Sequence, residues 1–229
     1  MEFVIILIIS ILLIITLGIL FDYNRKKIKN LGKNEKLDNI AKKYPSNIEI
    51  CKYILKKLNN ESVKIEENKD TEASLYIAIT NKISIANISK SYTRIQTIAH
   101  ECLHSIQDRK ILLFNFAFSN IYLMYFIIIC VLGLLKMLPL KMMFLAILLL
   151  LSICYYMVRI YLENDAMLKA KYLAKEYMEE QKISTRDEIT EMVEEFDKIN
   201  NIGIKCVNYN FFLNIMIKVI IFTVICIIR

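Results

Sequence analysis

The sequence predicts a mainly α-helical polytopic membrane protein with about four transmembrane helices and a small β-hairpin beside one motif-bearing helix. Three observations carry this. Apolar residues make up 56% of the 229, and they gather in four runs too long for the core helices of a soluble domain. Between the runs lie two polar segments, one of which alternates apolar and polar residues around a turn. That same segment holds both histidines of the chain.

Residues 1–21 read as a transmembrane anchor. The run over 3–21 is almost uninterrupted, preceded by Met1-Glu2 and followed by Arg25-Lys26-Lys27-Ile28-Lys29. A signal peptide would start basic and end at a small-residue cleavage site. This charge asymmetry instead predicts an uncleaved anchor with its N-terminus outside and its basic flank in the cytoplasm.

Residues 22–110 form the main polar segment. Ile40, Tyr44, Ile48, Cys51 and Leu55 recur at helical spacing up to about Leu58, with a break at Pro45. Residues 74–80 and 83–87 then alternate, with Leu75, Ile77 and Ile79 on one face of the first and Ile83 and Ile85 on one face of the second. Asn81-Lys82 can turn between them, which predicts a hairpin whose outer edge could accept an extended peptide. Ser89 or Ser91 can cap a helix from about Tyr92 to Asp108. Ile95, Ile98, Ala99, Cys102, Leu103 and Ile106 give it an apolar face.

Residues 111–162 read as a transmembrane helical hairpin, 111–135 and 142–162, joined by a short turn with Pro139. Residues 163–210 are a polar, helix-rich segment. Thr185-Arg186-Asp187-Glu188 resembles a capping box, and Gly203 is a plausible breaker. Residues 211–229 form the last membrane segment, with Lys218 inside its apolar run and Asn210, Asn214 and Lys218 on one helical face. A span is expected there, with Lys218 snorkelling or facing the bundle; the alternative is a segment that only lies in the interface.

The net charge is +7. In a polytopic chain that excess first reports which loops stay inside, so nucleic acid is excluded as a partner and the lipid bilayer takes its place. Basic residues cluster in 22–110 and 159–210, which predicts both polar segments on the cytoplasmic side; the membrane expected is a bacterial-type plasma membrane. The six cysteines form no CxxC pair and predict neither a disulfide framework nor a cysteine zinc site.

The chemistry is concentrated in His100-Glu101-Cys102-Leu103-His104. On a helix two imidazoles at i and i+4 leave one face about a turn apart, the spacing that binds one Zn²⁺. Glu101 then stands as general base for a metal-activated water. A catalytic zinc needs a third protein ligand. The positions that would continue the metzincin pattern hold Gln107 and Lys110, and no third histidine exists. The ligand must therefore be acidic or a cysteine. Glu163, the first carboxylate after the third run, returns beside His104 if 111–162 is a hairpin. Asp165 is the runner-up, as ligand or as an acceptor orienting a histidine. Cys102 is turned away from the histidine face.

Residues 95–108, with Ala99-His100-Glu101, His104 and Gln107, and the later Glu163-Asn164-Asp165-Ala166, resemble the bacterial YugP-like zinc-dependent membrane peptidases. The wider group of HtpX-like membrane gluzincins is similar. The resemblance implies a zincin-like segment in 22–110, His100, His104 and Glu163 as zinc ligands, and Glu101 as catalytic base. The chain departs from the pattern at Leu103, Ser105 and Met167. The expected function is a zinc metallopeptidase hydrolysing peptide or membrane-protein substrates near the cytoplasmic membrane surface. The alternative is a non-catalytic membrane interaction or sensor protein with a structural or vestigial zinc site.

Overall fold

A computed structural model describes residues 1–23, 30–68, 70–71 and 73–228. The basic flank at 25–29 lies outside them. The described helices are α1 (Glu2–Leu20), α2 (Glu35–Ala41), α3 (Asn47–Lys57), α4 (Arg94–Ile106), α5 (Arg109–Leu134), α6 (Lys141–Gln181) and α7 (Arg186–Ile228). The strands are β1 (Lys64–Glu67), β2 (Leu75–Ile77) and β3 (Lys82–Ile85). The protein is thus mainly helical with a small sheet, and α1, α5, α6 and α7 are long and apolar enough to cross a membrane.

The chain divides into two compact units. One comprises Met1–Tyr23, Phe114–Tyr161 and Lys205–Arg229. Its core joins Tyr122 and Ile129 of α5, Leu145 and Leu148 of α6, and Val219 and Phe222 of α7, with Phe3, Ile6 and Ile14 of α1 packed on. Tyr209 donates to the Ile14 carbonyl at 3.0 Å. Gly18 makes this approach possible, because a Cβ there would stand 2.9 Å from the Tyr209 hydroxyl.

The other unit comprises Asn24–Leu113 and Leu162–Ile204. Its core gathers Leu37 and Ile40 of α2, Ile50, Ile54 and Leu55 of α3, Ile83 and Ile85 of β3, Ile95 and Ile98 of α4, Ala166, Ala170 and Tyr177 of α6, and Met192 of α7. The break at Pro45 separates α2 from α3, and Ser46 restarts the helix. Its backbone N–H donates to Glu49 at 2.9 Å while its hydroxyl accepts from the Glu49 N–H at 3.4 Å. Buried Arg94 ties α4 to the end of α2, donating to the carbonyls of Ala41 and Tyr44, each at 2.8 Å, and to Asn47 Oδ1 at 3.0 Å.

The sheet runs β1-β3-β2. The expected hairpin is there as β2 antiparallel to β3, with Tyr76 opposite Ile83. Its turn is longer than expected, taking in 78–81. Asn81 supplies the left-handed corner at φ 48°. Ile79 falls in that turn and is 52% exposed, rather than lining a strand. A third strand, β1, was not expected. It is charged, and it pairs parallel to β3 with Ile65 opposite Ile83.

Helices α6 and α7 run to 41 and 43 residues, continuing through 162 and 210 where separate segments were expected. Gly203 does not break α7. A single glycine costs a helix only about 1 kcal/mol, and here its missing side chain leaves room for Met167 Cε, 3.2 Å from where a Cβ would stand. The capping box is present, with the Thr185 N–H on Glu188 at 2.8 Å and the Glu188 N–H on Thr185 Oγ1 at 3.2 Å.

Candidate metal centre

Helix α4 buries Ile95, Ile98, Ala99, Cys102 and Leu103 in the core of its unit. Ile106, expected on that face, is 47% exposed, since the chain turns extended at Gln107. The N-cap is Thr93, without a side-chain cap bond, rather than Ser89 or Ser91; the Ser91 hydroxyl accepts from the Thr93 N–H at 3.2 Å just before the helix starts.

The two imidazoles leave α4 on one face. Their Nε2 atoms stand 3.0 Å apart with the rings edge to face. Glu163 of α6 brings a carboxylate oxygen to 3.7 Å from each Nε2. One ligand atom from each of the three residues lies within 4.8 Å of the others. Their side chains are 19%, 12% and 21% exposed, which leaves an opening on a mostly desolvated site.

Gln107 extends this arrangement. Its Nε2 donates to the Leu162 carbonyl at 2.7 Å and to Asp165 Oδ2 at 3.3 Å. Its Oε1 is therefore the atom that faces His104 Nδ1, at 2.9 Å, and it accepts the proton of that nitrogen. Asp165, the runner-up ligand, is engaged elsewhere. It holds Gln107 and pairs with Lys169 at 2.5 Å. Its orienting effect on a histidine passes through Gln107, a role that sequence reasoning missed. The signal available was a glutamine three residues after the second histidine, where the chain leaves the helix.

Glu101 is 5% exposed, on the buried side of α4. Burial lifts its carboxyl to about 7; Glu163 adds to the rise, while His104 and the Tyr76 backbone N–H of β2 oppose it. The approach of the β2 backbone at Tyr76 is an influence the sequence did not name. Burial, with His104 beside it, pushes His100 down to about 4 against Glu163 and the Ala166 backbone. Burial alone would lower His104 too, but the Glu163 carboxylate at 3.7 Å, the Gln107 oxygen that accepts from Nδ1 and the charge of Glu101 raise it above the usual value. Cys102 faces away from the imidazoles, with its Sγ 3.6 Å from Cys51 Sγ, and all six cysteines are free.

Around a tetrahedral ion with ~2.0–2.1 Å bonds, neighbouring ligand atoms stand roughly 3.3 Å apart. Separations of 3.0, 3.7 and 3.7 Å match that spacing for two imidazoles and one carboxylate. The donor set therefore fits one divalent cation. Comparison of the chain with known protein families, curated proteins and solved structures finds no match.

Proposed function

We propose that this chain is a zinc-dependent, membrane-embedded endopeptidase. The observation that carries the reading is the convergence of Glu163, from a separate helix, on both imidazoles at 3.7 Å. The resemblance of its motifs to the YugP-like peptidases points the same way.

His100, His104 and Glu163 would hold the zinc, and Gln107 would keep the Nε2 of His104 turned towards it. Bound there, zinc supplies a Lewis acid that polarises the scissile carbonyl and makes water acidic. Glu101 takes the proton of the attacking water and returns it to the leaving amine. Its burial raises its basicity towards neutrality, and the Tyr76 backbone of β2 offsets part of that rise. An extended peptide would add to the outer edge of β2, the strand that touches Glu101 and has β3 on one side only.

In sequence, the first apolar run after His104 begins at Ile111, and Glu163 directly follows another. Membrane proteins or their cytoplasmic flanks are accordingly the substrates of choice. The excess of basic residues in both polar segments supports a site on the cytoplasmic side, and the resemblance to bacterial peptidases supports a bacterial-type plasma membrane. The test is Glu101→Gln in the purified full chain. Zinc content stays stoichiometric and cleavage of a peptide library falls by about 10²–10⁴-fold. Undiminished cleavage would refute the reading, as would a wild-type chain that takes up no zinc.

A further inference from the structure

Lys218 sits inside the apolar stretch of α7, a placement that is costly without a compensating partner. The stretch over 211–228 is 18 residues, and Lys218 lies seven residues from its start, ~10 Å along the axis. The ammonium donates to Asn214 Oδ1 one turn back towards the polar half of the helix. On its other side it stands 5.0 Å from the centre of the Tyr122 ring. That ring is buried, stacked on Tyr155 and fixed by a 2.9 Å hydrogen bond between its hydroxyl and Ser152. Asn214 is exposed. Among the described residues no carboxylate pairs with Lys218. Lys141 of the same unit is placed differently, donating to the Cys226 carbonyl near the end of α7 at 3.3 Å.

The result is a cation closed off inside by an aromatic face and open outside beside an exposed amide. A lysine side chain reaches ~6 Å. Directed towards Asn214, it carries its charge back to within a few ångströms of the start of the apolar stretch. On the same face, two turns nearer the polar half, the Arg159 guanidinium lies 4.8 Å over the Phe211 ring and adds positive charge. We propose that Lys218, with Asn214 and Tyr122, binds the phosphate of an anionic phospholipid in the leaflet next to the polar half of α7. The site takes α7 to cross the bilayer and is independent of the peptidase reading. A phosphate matches the cation in charge, the amide Nδ2 supplies a second donor, and the acyl chains would lie along the exposed apolar face that continues from Ile217 to Ile221. An acidic side chain from a partner helix would have to leave water to reach the same place, whereas lipid phosphate stands just outside the apolar stretch, within a few ångströms of the retracted ammonium.

The experiment compares lipid retained by the purified full chain, by native mass spectrometry, after reconstitution in mixed phosphatidylglycerol and phosphatidylcholine. Wild type retains phosphatidylglycerol about fivefold over phosphatidylcholine. Lys218→Met abolishes the preference, and Lys218→Arg keeps it. Removing a charge from an apolar segment does not threaten folding, and the melting temperature of Lys218→Met checks this. Glu101→Gln retains lipid as wild type does, which separates this site from the hydrolytic one. Loss of the preference with millimolar inorganic phosphate, its displacement by a synthetic transmembrane peptide with a central Glu, or an unchanged preference in Lys218→Met would each overturn the proposal.

Discussion

Gln107 decides which nitrogen of His104 faces the site. Because its amide nitrogen is committed to the Leu162 carbonyl, only its oxygen can meet Nδ1, and Nε2 is left with its lone pair towards His100 and Glu163. Replacing it with leucine should weaken zinc binding about 10–100-fold, measured by chelator competition. Gln107→Glu keeps the acceptor but loses the donor to the Leu162 carbonyl and sets a second carboxylate against Asp165, so it too should bind zinc more weakly than wild type. Arg94 is a second residue whose loss has a calculable cost. Arg94→Met would strip the donors from the buried carbonyls of Ala41 and Tyr44, at about 1–3 kcal/mol for each group left unsatisfied. A lowered melting temperature with unchanged zinc content is the expected outcome. At this scale the sequence showed what lies in side-chain identity and helical spacing, namely two imidazoles, the glutamate between them and the acid of the returning segment. It did not show the Tyr76 N–H, because a backbone donor has no letter of its own and only the approach of β2 brings it to Glu101.

Among the elements, those with local signals were legible and those with distant partners were not. The β2–β3 hairpin was readable from alternation and a turn residue. Strand β1 was not, since its parallel partner lies beyond β2 in the chain and its own residues are mostly charged. Gly203 pointed to a break in α7 on propensity alone, and contact with Met167 overrides it. The start of α7 was readable from its capping box, and it yields a pH prediction. Lys43, with the Thr185 N–H, holds the Glu188 carboxyl below its usual value, with Lys43 at 2.9 Å. The folded pKa is therefore below the unfolded one. The stabilisation is complete above the unfolded carboxylate value of ~4.3 and is lost as pH falls through the folded value. Melting curves between pH 3 and 7 should show a shallower acid-side decline for Glu188→Gln than for wild type. The effect is small because the pair is solvent-exposed.

For the molecule as a whole, the membrane class was the plainest reading, since four apolar runs dominate the composition and four helices of matching place follow. The candidate centre draws its ligands from α4 and α6, so an ion bound there would act as a crosslink within its unit. Zinc at a hundred times its dissociation constant should stabilise the folded chain by about 2.7 kcal/mol, seen as a chelator-reversible rise in melting temperature. Glu163→Gln should lose that rise and Glu101→Gln should keep it. A structural zinc site without hydrolysis would give the same thermal result, so the Glu101→Gln cleavage assay distinguishes the two.

Both histidines of the chain stand in this one centre. Nitrogen NMR of the imidazole region would consequently contain two rings and nothing else, each reporting on occupancy without assignment by mutation. A histidine-selective acylating reagent would, for the same reason, have a single address on the whole polypeptide, and protection from it by added metal would time ion exchange directly in native membranes.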